Sequence, residues 1–169
     1  AGLASIRCRP VNSALGLAMA RQMSPERERE YAELNAFLDF VSTHVSGIDP
    51  ADPIRPTNVG KRIVAEFGKS KALEGLKQAI NDTVEDLGDK PFDYLSNLDK
   101  ALRESQIITF SEVRRRYAAS YRRIMKRGHI KTETEYYLVR GILSDFSSLT
   151  SESDRNALEA MLSSYESEA

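Results

Sequence analysis

The sequence has very few of the residues that build covalently cross-linked or metal-stabilised folds. Among 169 residues it contains one cysteine, Cys8, and two histidines, His44 and His129. A single cysteine excludes an internal disulfide, and two histidines this far apart leave no cluster with the ligand spacing of a zinc site. We therefore expect no metal, no cofactor and a reducing, cytoplasmic location.

Long apolar runs are missing as well. No stretch approaches the roughly 20 apolar residues of a membrane span, so we expect no contact with a membrane. Hydrophobic residues make up 41% of the chain and charged residues 29%, which is typical of a soluble globular protein. A chain of this length buries roughly two-thirds of its unfolded surface and can fold without a disulfide.

Recognisable catalytic motifs are also absent. "FGKSK" at residues 67–71 resembles the end of a phosphate-binding loop, but Ile63 stands where that loop needs its first glycine. The glutamates of "PERERE" alternate with Arg27 and Arg29, as in an ordinary solvated helix start. No grouping of Ser, His and acid indicates a nucleophile. The sequence gives an enzyme no positive support, although a site assembled from distant segments stays open.

What the sequence does have is a repeated set of helix signals. Ser24, Pro25 and Glu26 supply a capping hydroxyl, a proline at the first helical position and an acid in the first turn. Apolar residues then recur at spacings of three and four, and similar stripes ending at glycines continue along the chain. This pattern predicts an all-α fold, a single helical domain of about seven helices over residues 25–169 with short Gly-capped turns.

Two segments differ from this helical pattern. Residues 1–24 contain no acid, and we interpret them as an N-terminal segment that forms a short helix or tail, with a targeting peptide or a cloning artefact as alternatives. Residues 48–57 hold three of the six prolines. Because proline cannot continue a helix, we predict an extended, Pro-rich surface connector there.

Positive charge is unevenly distributed, although 24 Lys and Arg nearly balance 25 Asp and Glu. Residues 113–131, called the basic segment below, carry eight cations and no carboxylate. On one continuous helix from Phe110 to Arg127, with about 100° per residue, the apolar residues form one stripe and six cations face outward. With Lys131, these cations form the candidate interaction surface: Arg115, Arg116, Arg122, Arg123, Lys126, Arg127 and Lys131.

A face of like charges is mildly destabilising unless something negative lies against it. The acid-rich residues 132–169, a second copy of the chain, or nucleic acid could supply that charge. Because the whole chain is nearly neutral, the first hypothesis is a non-enzymatic protein-interaction or regulatory module that self-associates into a homo-oligomer. Apolar residues beside the stripes support this: Phe37, Phe40, Tyr94 and Tyr137. The alternative is a nucleic-acid-binding regulator that uses the same basic helix, and the third is an enzyme without a recognisable motif.

Overall fold

A computed structural model describes residues 23–145 and 149–168. Within these ranges the chain forms eight α-helices and no strand. In chain order the helices are Pro25–His44 (α1), Pro56–Phe67 (α2), Lys69–Gly88 (α3), Phe92–Glu104 (α4), Phe110–Tyr117 (α5), Ala119–Arg127 (α6), Glu133–Ser144 (α7) and Glu152–Glu168 (α8). The all-α prediction is confirmed. The expected N-terminal helix or tail falls almost wholly on residues 1–22, outside the described residues.

Several helices begin where the sequence places a capping hydroxyl. Each of these side chains accepts a hydrogen bond from a backbone N–H of the first turn, which satisfies one of the donors that a helix start leaves unpaired. The predicted caps that do so are Ser24, Thr109, Thr132 and Ser151. Local sequence therefore fixes the starts of α1, α5, α7 and α8.

The junction between α2 and α3 is formed by a glycine. Helix α3 begins at Lys69, directly after Gly68, and no side chain caps it. Gly68 has φ 83° and ψ 165°, a conformation that side chains other than glycine rarely adopt. Phe67, the last residue of α2, is 62% exposed. The conformation of Gly68 therefore separates the two helices without help from a capping side chain.

A non-helical, Pro-rich connector joins α1 to α2, and it ends slightly earlier than predicted because α2 begins at Pro56. The prediction that this connector is extended is wrong, because its residues fold into turns. The carboxylate of Asp49 accepts from the N–H of Ala51 at 2.7 Å, and that of Asp52 accepts from the N–H of Ile54 at 2.9 Å. Such side-chain-to-backbone bonds are the usual way in which Asp stabilises a turn.

A buried arginine fixes the end of this connector to α1. Arg55 is 2% exposed. Its Nη2 donates to the carboxylate of Asp39 at 2.9 Å and to the hydroxyl of Thr43 at 2.6 Å. Its Nη1 donates to the carbonyl of Ile48 at 2.9 Å, and its Nε to the hydroxyl of Thr57 at 3.2 Å. One side chain thus joins α1, the connector and α2.

The core places α5 at the centre of the fold. This short helix contacts α3, α4, α6 and α7. Phe110, Val113 and Ile124 are fully buried, Tyr121 is buried and Tyr117 is partly buried against them. The apolar stripe predicted for the basic segment is therefore core, and the cations must lie beside or opposite it.

Candidate interaction site on the basic segment

The basic segment forms two helices instead of the single helix predicted. Ala118 has φ −67° and ψ 126°, which is extended backbone, and it separates α5 from α6. Because Ala118 is itself buried, the break is part of the packing. It lets α5 pack on α3, α4 and α7 while α6 packs mainly on α7. The helical wheel drawn from Phe110 to Arg127 is wrong for this reason, and the six cations do not share one face.

The two arginines at the end of α5 are paired with a buried carboxylate. Arg115 donates to Glu112 from Nε at 2.7 Å and from Nη2 at 2.6 Å, and Arg116 donates from Nε at 2.7 Å. Glu112 is 2% exposed. The hydrogen bonds to Glu112 raise the pKa of Arg115 above its ordinary value. Both guanidinium groups are thus held by a carboxylate that stands one residue before the basic segment.

A second contact ties this cluster to α1. Nη1 of Arg116 donates to the carboxylate of Glu33 at 2.6 Å. The hydroxyl of Tyr117 donates to Glu30 at 2.7 Å. Burial, together with this hydrogen bond, raises the pKa of Tyr117 well above that of a free tyrosine. The α5 cations therefore connect helices that are far apart in the sequence.

Arg127, at the end of α6, is paired with the next helix. It forms an ion pair with Glu135 in the first turn of α7, and its Nε donates to the carbonyl of His129 at 2.9 Å. Burial opposes ionisation of Glu135, but hydrogen bonds from the N–H of Lys131 and from Arg127 outweigh it and lower the pKa of Glu135. Below, the term "paired cations" denotes Arg115, Arg116 and Arg127.

The remaining four cations are exposed. The side chains of Arg122, Arg123, Lys126 and Lys131 form no ion pair or hydrogen bond with another described residue. At about 100° per residue, the first three lie within about 100° of arc on α6, opposite the buried Ile124. These four residues are called the α6 surface. Of the seven predicted site residues, the structure keeps four as a free surface and places three in internal contacts.

Carboxylates of α3 and of Asp89, the residue that follows it, lie beside the α6 surface. Arg122 and Arg123 line a cleft of about 550 Å³ together with Asp82, Glu85 and Asp89. All three acids are exposed. The cleft therefore presents charges of both signs.

Arg114, the eighth cation of the segment, has a different environment that sequence reasoning missed. It is 5% exposed, and its Cζ lies 5.4 Å from the centroid of the Phe110 ring. Its Nε is buried without a hydrogen-bond partner among the described residues. Burial lowers the pKa of Arg114 to about 10, against the opposing effect of Asp99 and Asp89. Its position beside the apolar stripe was the one signal in the sequence that it could be buried.

Comparison of the chain with family models, with curated proteins and with solved structures finds no match. Across residues 23–145 and 149–168, no helix has the length and apolar character needed to cross a membrane. The same residues contain no group of three or more His, Cys, Asp or Glu side chains that could hold a metal ion. We therefore infer function from the geometry of the basic segment.

Proposed function

We propose that the protein is an interaction module whose α6 surface binds an acidic protein surface, and that this partner is a second copy of the chain. The observation that carries the proposal is the division of the basic segment. Three cations have carboxylates of the same chain at hydrogen-bond distance, whereas the four of the α6 surface have none among the described residues. Charges that the fold itself leaves unpaired are available to a partner.

The charges beside the α6 surface favour a protein over nucleic acid. A phosphate backbone is attracted to a continuous stripe of cations, and nearby carboxylates repel it. Asp82, Glu85 and Asp89 line the same cleft as Arg122 and Arg123. Protein surfaces carry both signs and can complement a mixed cleft, with opposite charges facing each other across the interface.

The chain also carries a suitable acidic surface of its own. Helix α8 holds five acids and a single arginine, Arg155. Four of these acids are exposed: Glu152, Glu159, Glu166 and Glu168. In a symmetric dimer, the α6 surface of one copy could meet α8 of the other at two equivalent places. Such contacts would balance the local charges without changing the near-zero net charge of the chain.

The test is the mass of the protein in solution, measured by light scattering at low and high salt. We expect the wild type to exceed its monomer mass of 18.9 kDa at low salt and to dissociate at high salt, because salt screens exposed charges. A variant with Arg122, Arg123 and Lys126 replaced by glutamine should remain a monomer under both conditions. Replacing Lys61 and Arg62, exposed cations of α2, is the matched control and should leave the mass unchanged.

Two results would contradict the proposal. A wild type that stays monomeric up to about 100 µM at low salt would show that the α6 surface does not join copies of the chain. Salt-dependent binding to a DNA or RNA duplex that the triple variant loses would instead identify nucleic acid as the partner.

A further inference from the structure

The strongest unexplained feature of the fold is the buried guanidinium of Arg114. Burying a charge is costly unless hydrogen bonds or an ion pair compensate for it. Arg114 is 5% exposed, yet its Nε is buried without a hydrogen-bond partner among the described residues. The other buried arginine, Arg55, makes hydrogen bonds through all three of its guanidinium nitrogens. Arg114 therefore has hydrogen-bonding capacity that the described fold leaves unused.

Residues outside the described ranges have no carboxylate side chain that could pair with Arg114. Residues 1–22, 146–148 and 169 contain no Asp or Glu. Among the described acids, Asp99 and Asp89 act on Arg114 through charge, and Asp99 also accepts from the backbone N–H and the hydroxyl of Ser111, at 3.1 and 2.5 Å. The Nε of Arg114 is therefore available to an anion from another molecule.

Arg114 lines a cleft that could hold such a molecule. The cleft has a volume of about 210 Å³ and lies between α4, α5 and α7. Phe92 and Tyr137 form part of its wall, with ring centroids 6.0 Å apart. Both rings also line an adjoining, wider cleft, where the Cζ of Arg140 lies 4.6 Å from the centroid of the Phe92 ring. A buried cation and two aromatic rings therefore meet in one space that is open to solvent on one side.

We propose that this cleft binds a small aromatic carboxylate, with its carboxylate on Arg114 and its ring against Phe92 and Tyr137. A cavity of roughly 150 Å³ can hold benzene, so about 210 Å³ accommodates one ring with a carboxylate. The carboxylates of Asp99 and Asp145 also line the cleft. They would repel a doubly charged phosphate more than a singly charged carboxylate. This site is independent of the α6 surface.

The test is calorimetric titration of the full chain with benzoate, with its neutral analogue benzamide and with inorganic phosphate. Benzoate should bind the wild type, and benzamide and phosphate should bind more weakly. Arg114→Met should weaken benzoate binding by about ten- to a hundredfold, the usual effect of losing hydrogen bonds to a charged group. Arg62→Met on α2, an exposed arginine, is the control and should bind benzoate like the wild type.

Thermal melting of the ligand-free variants separates binding from a structural role. Arg114→Met should melt at or above the temperature of the wild type, because it removes a buried charge without breaking a hydrogen bond. A melting temperature several degrees lower would show that Arg114 stabilises the fold, which overturns the proposal. Equal binding of benzoate and benzamide by the wild type, no binding of benzoate, or tighter binding of phosphate would each overturn it without any variant.

Discussion

Replacing Glu112 by glutamine should destabilise the fold strongly, although it changes one atom in a segment that reads as solvent-exposed helix. Glu112 is 2% exposed and accepts three hydrogen bonds of 2.6–2.7 Å from Arg115 and Arg116. The oxygen of an amide can replace only one of the two carboxylate oxygens, and the NH₂ group would face a guanidinium N–H in place of the other. The two arginines would then share fewer acceptors, and two donors would oppose each other in a buried position.

The size of the effect follows from the burial of each partner. Removing one partner of a fully buried ion pair costs about 3–5 kcal/mol. The side chains of Arg115 and Arg116 keep 18% and 26% of their surface, and Arg116 also keeps its contact with Glu33. We therefore expect Glu112→Gln to lower the free energy of unfolding by about 2–3 kcal/mol, which is less than for a fully buried pair. For a chain of this size that lowers the melting temperature by about 5–10 °C.

The assay is thermal unfolding followed by circular dichroism, with Glu33→Gln as the matched control. Glu33 contacts the same Arg116 at 2.6 Å, but its side chain is 37% exposed. An exposed pair contributes about 0–1 kcal/mol, so the control should melt within about 3 °C of the wild type. Equal melting temperatures for Glu112→Gln and Glu33→Gln would refute the reasoning, because burial would then not decide the strength of these pairs.

Three further substitutions test other parts of the fold. Arg55→Met should lower the free energy of unfolding in urea by about 2–3 kcal/mol, since it removes the hydrogen bonds that a buried guanidinium makes to part-buried acceptors, and a loss under about 1 kcal/mol would contradict that. Gly128→Ala should lower the free energy of unfolding by about 1 kcal/mol in the same assay, because Gly128 has φ 77°. Gly88→Ala is the control, because Gly88 is helical with a negative φ, and it should not lower the free energy of unfolding. Tyr117 has a raised pKa when folded, so its contribution to stability is complete below pH about 10 and is lost at higher pH. Tyr117→Phe should therefore reduce the loss of stability between about pH 10 and 12, and an unchanged pH profile would contradict this.

The features that local sequence could predict are those that depend on neighbours in the chain. Capping hydroxyls fix helix starts because the hydrogen bond spans three residues, as at Thr109 and Thr132. Glycine stops are local for the same reason, as at Gly128. Apolar spacing identified the buried side of α5 and α6 even though these helices are not continuous, because the spacing within each helix is still about 3.6 residues per turn.

The features that sequence reasoning missed depend on contacts between distant segments. The ion pair of Arg116 with Glu33 joins residues 83 positions apart, and no local rule predicts it. The break at Ala118 lies in buried backbone between two helices that pack on different neighbours. Glu112 could have been recognised, because it stands three and four residues before Arg115 and Arg116, the spacing of helical ion pairs. Glu112 directly precedes the basic segment, so the charge count of that segment does not include it.

The structure weakens the argument that surplus apolar surface drives self-association. Phe37 was expected to lie beside the stripe of α1 as surplus surface, but it is fully buried, and Phe40 packs partly against the core. Tyr94 and Tyr137 are 42% and 36% exposed. The apolar surface left for a partner is therefore smaller than the sequence suggested, so the proposed association depends mainly on charge.

The central claim is that the basic segment contains two sets of cations with different roles, and one comparison of melting temperatures tests it most directly. One variant replaces the three paired cations by glutamine, and the other replaces Arg122, Arg123 and Lys126. Each removes three positive charges from the same segment. We predict that the first melts at least about 5 °C below the wild type, because it removes the three arginine hydrogen bonds to the buried carboxylate of Glu112. The second should melt within about 2 °C of the wild type, as measured below the concentration at which the protein associates. Equal shifts for the two variants would contradict the division of the basic segment.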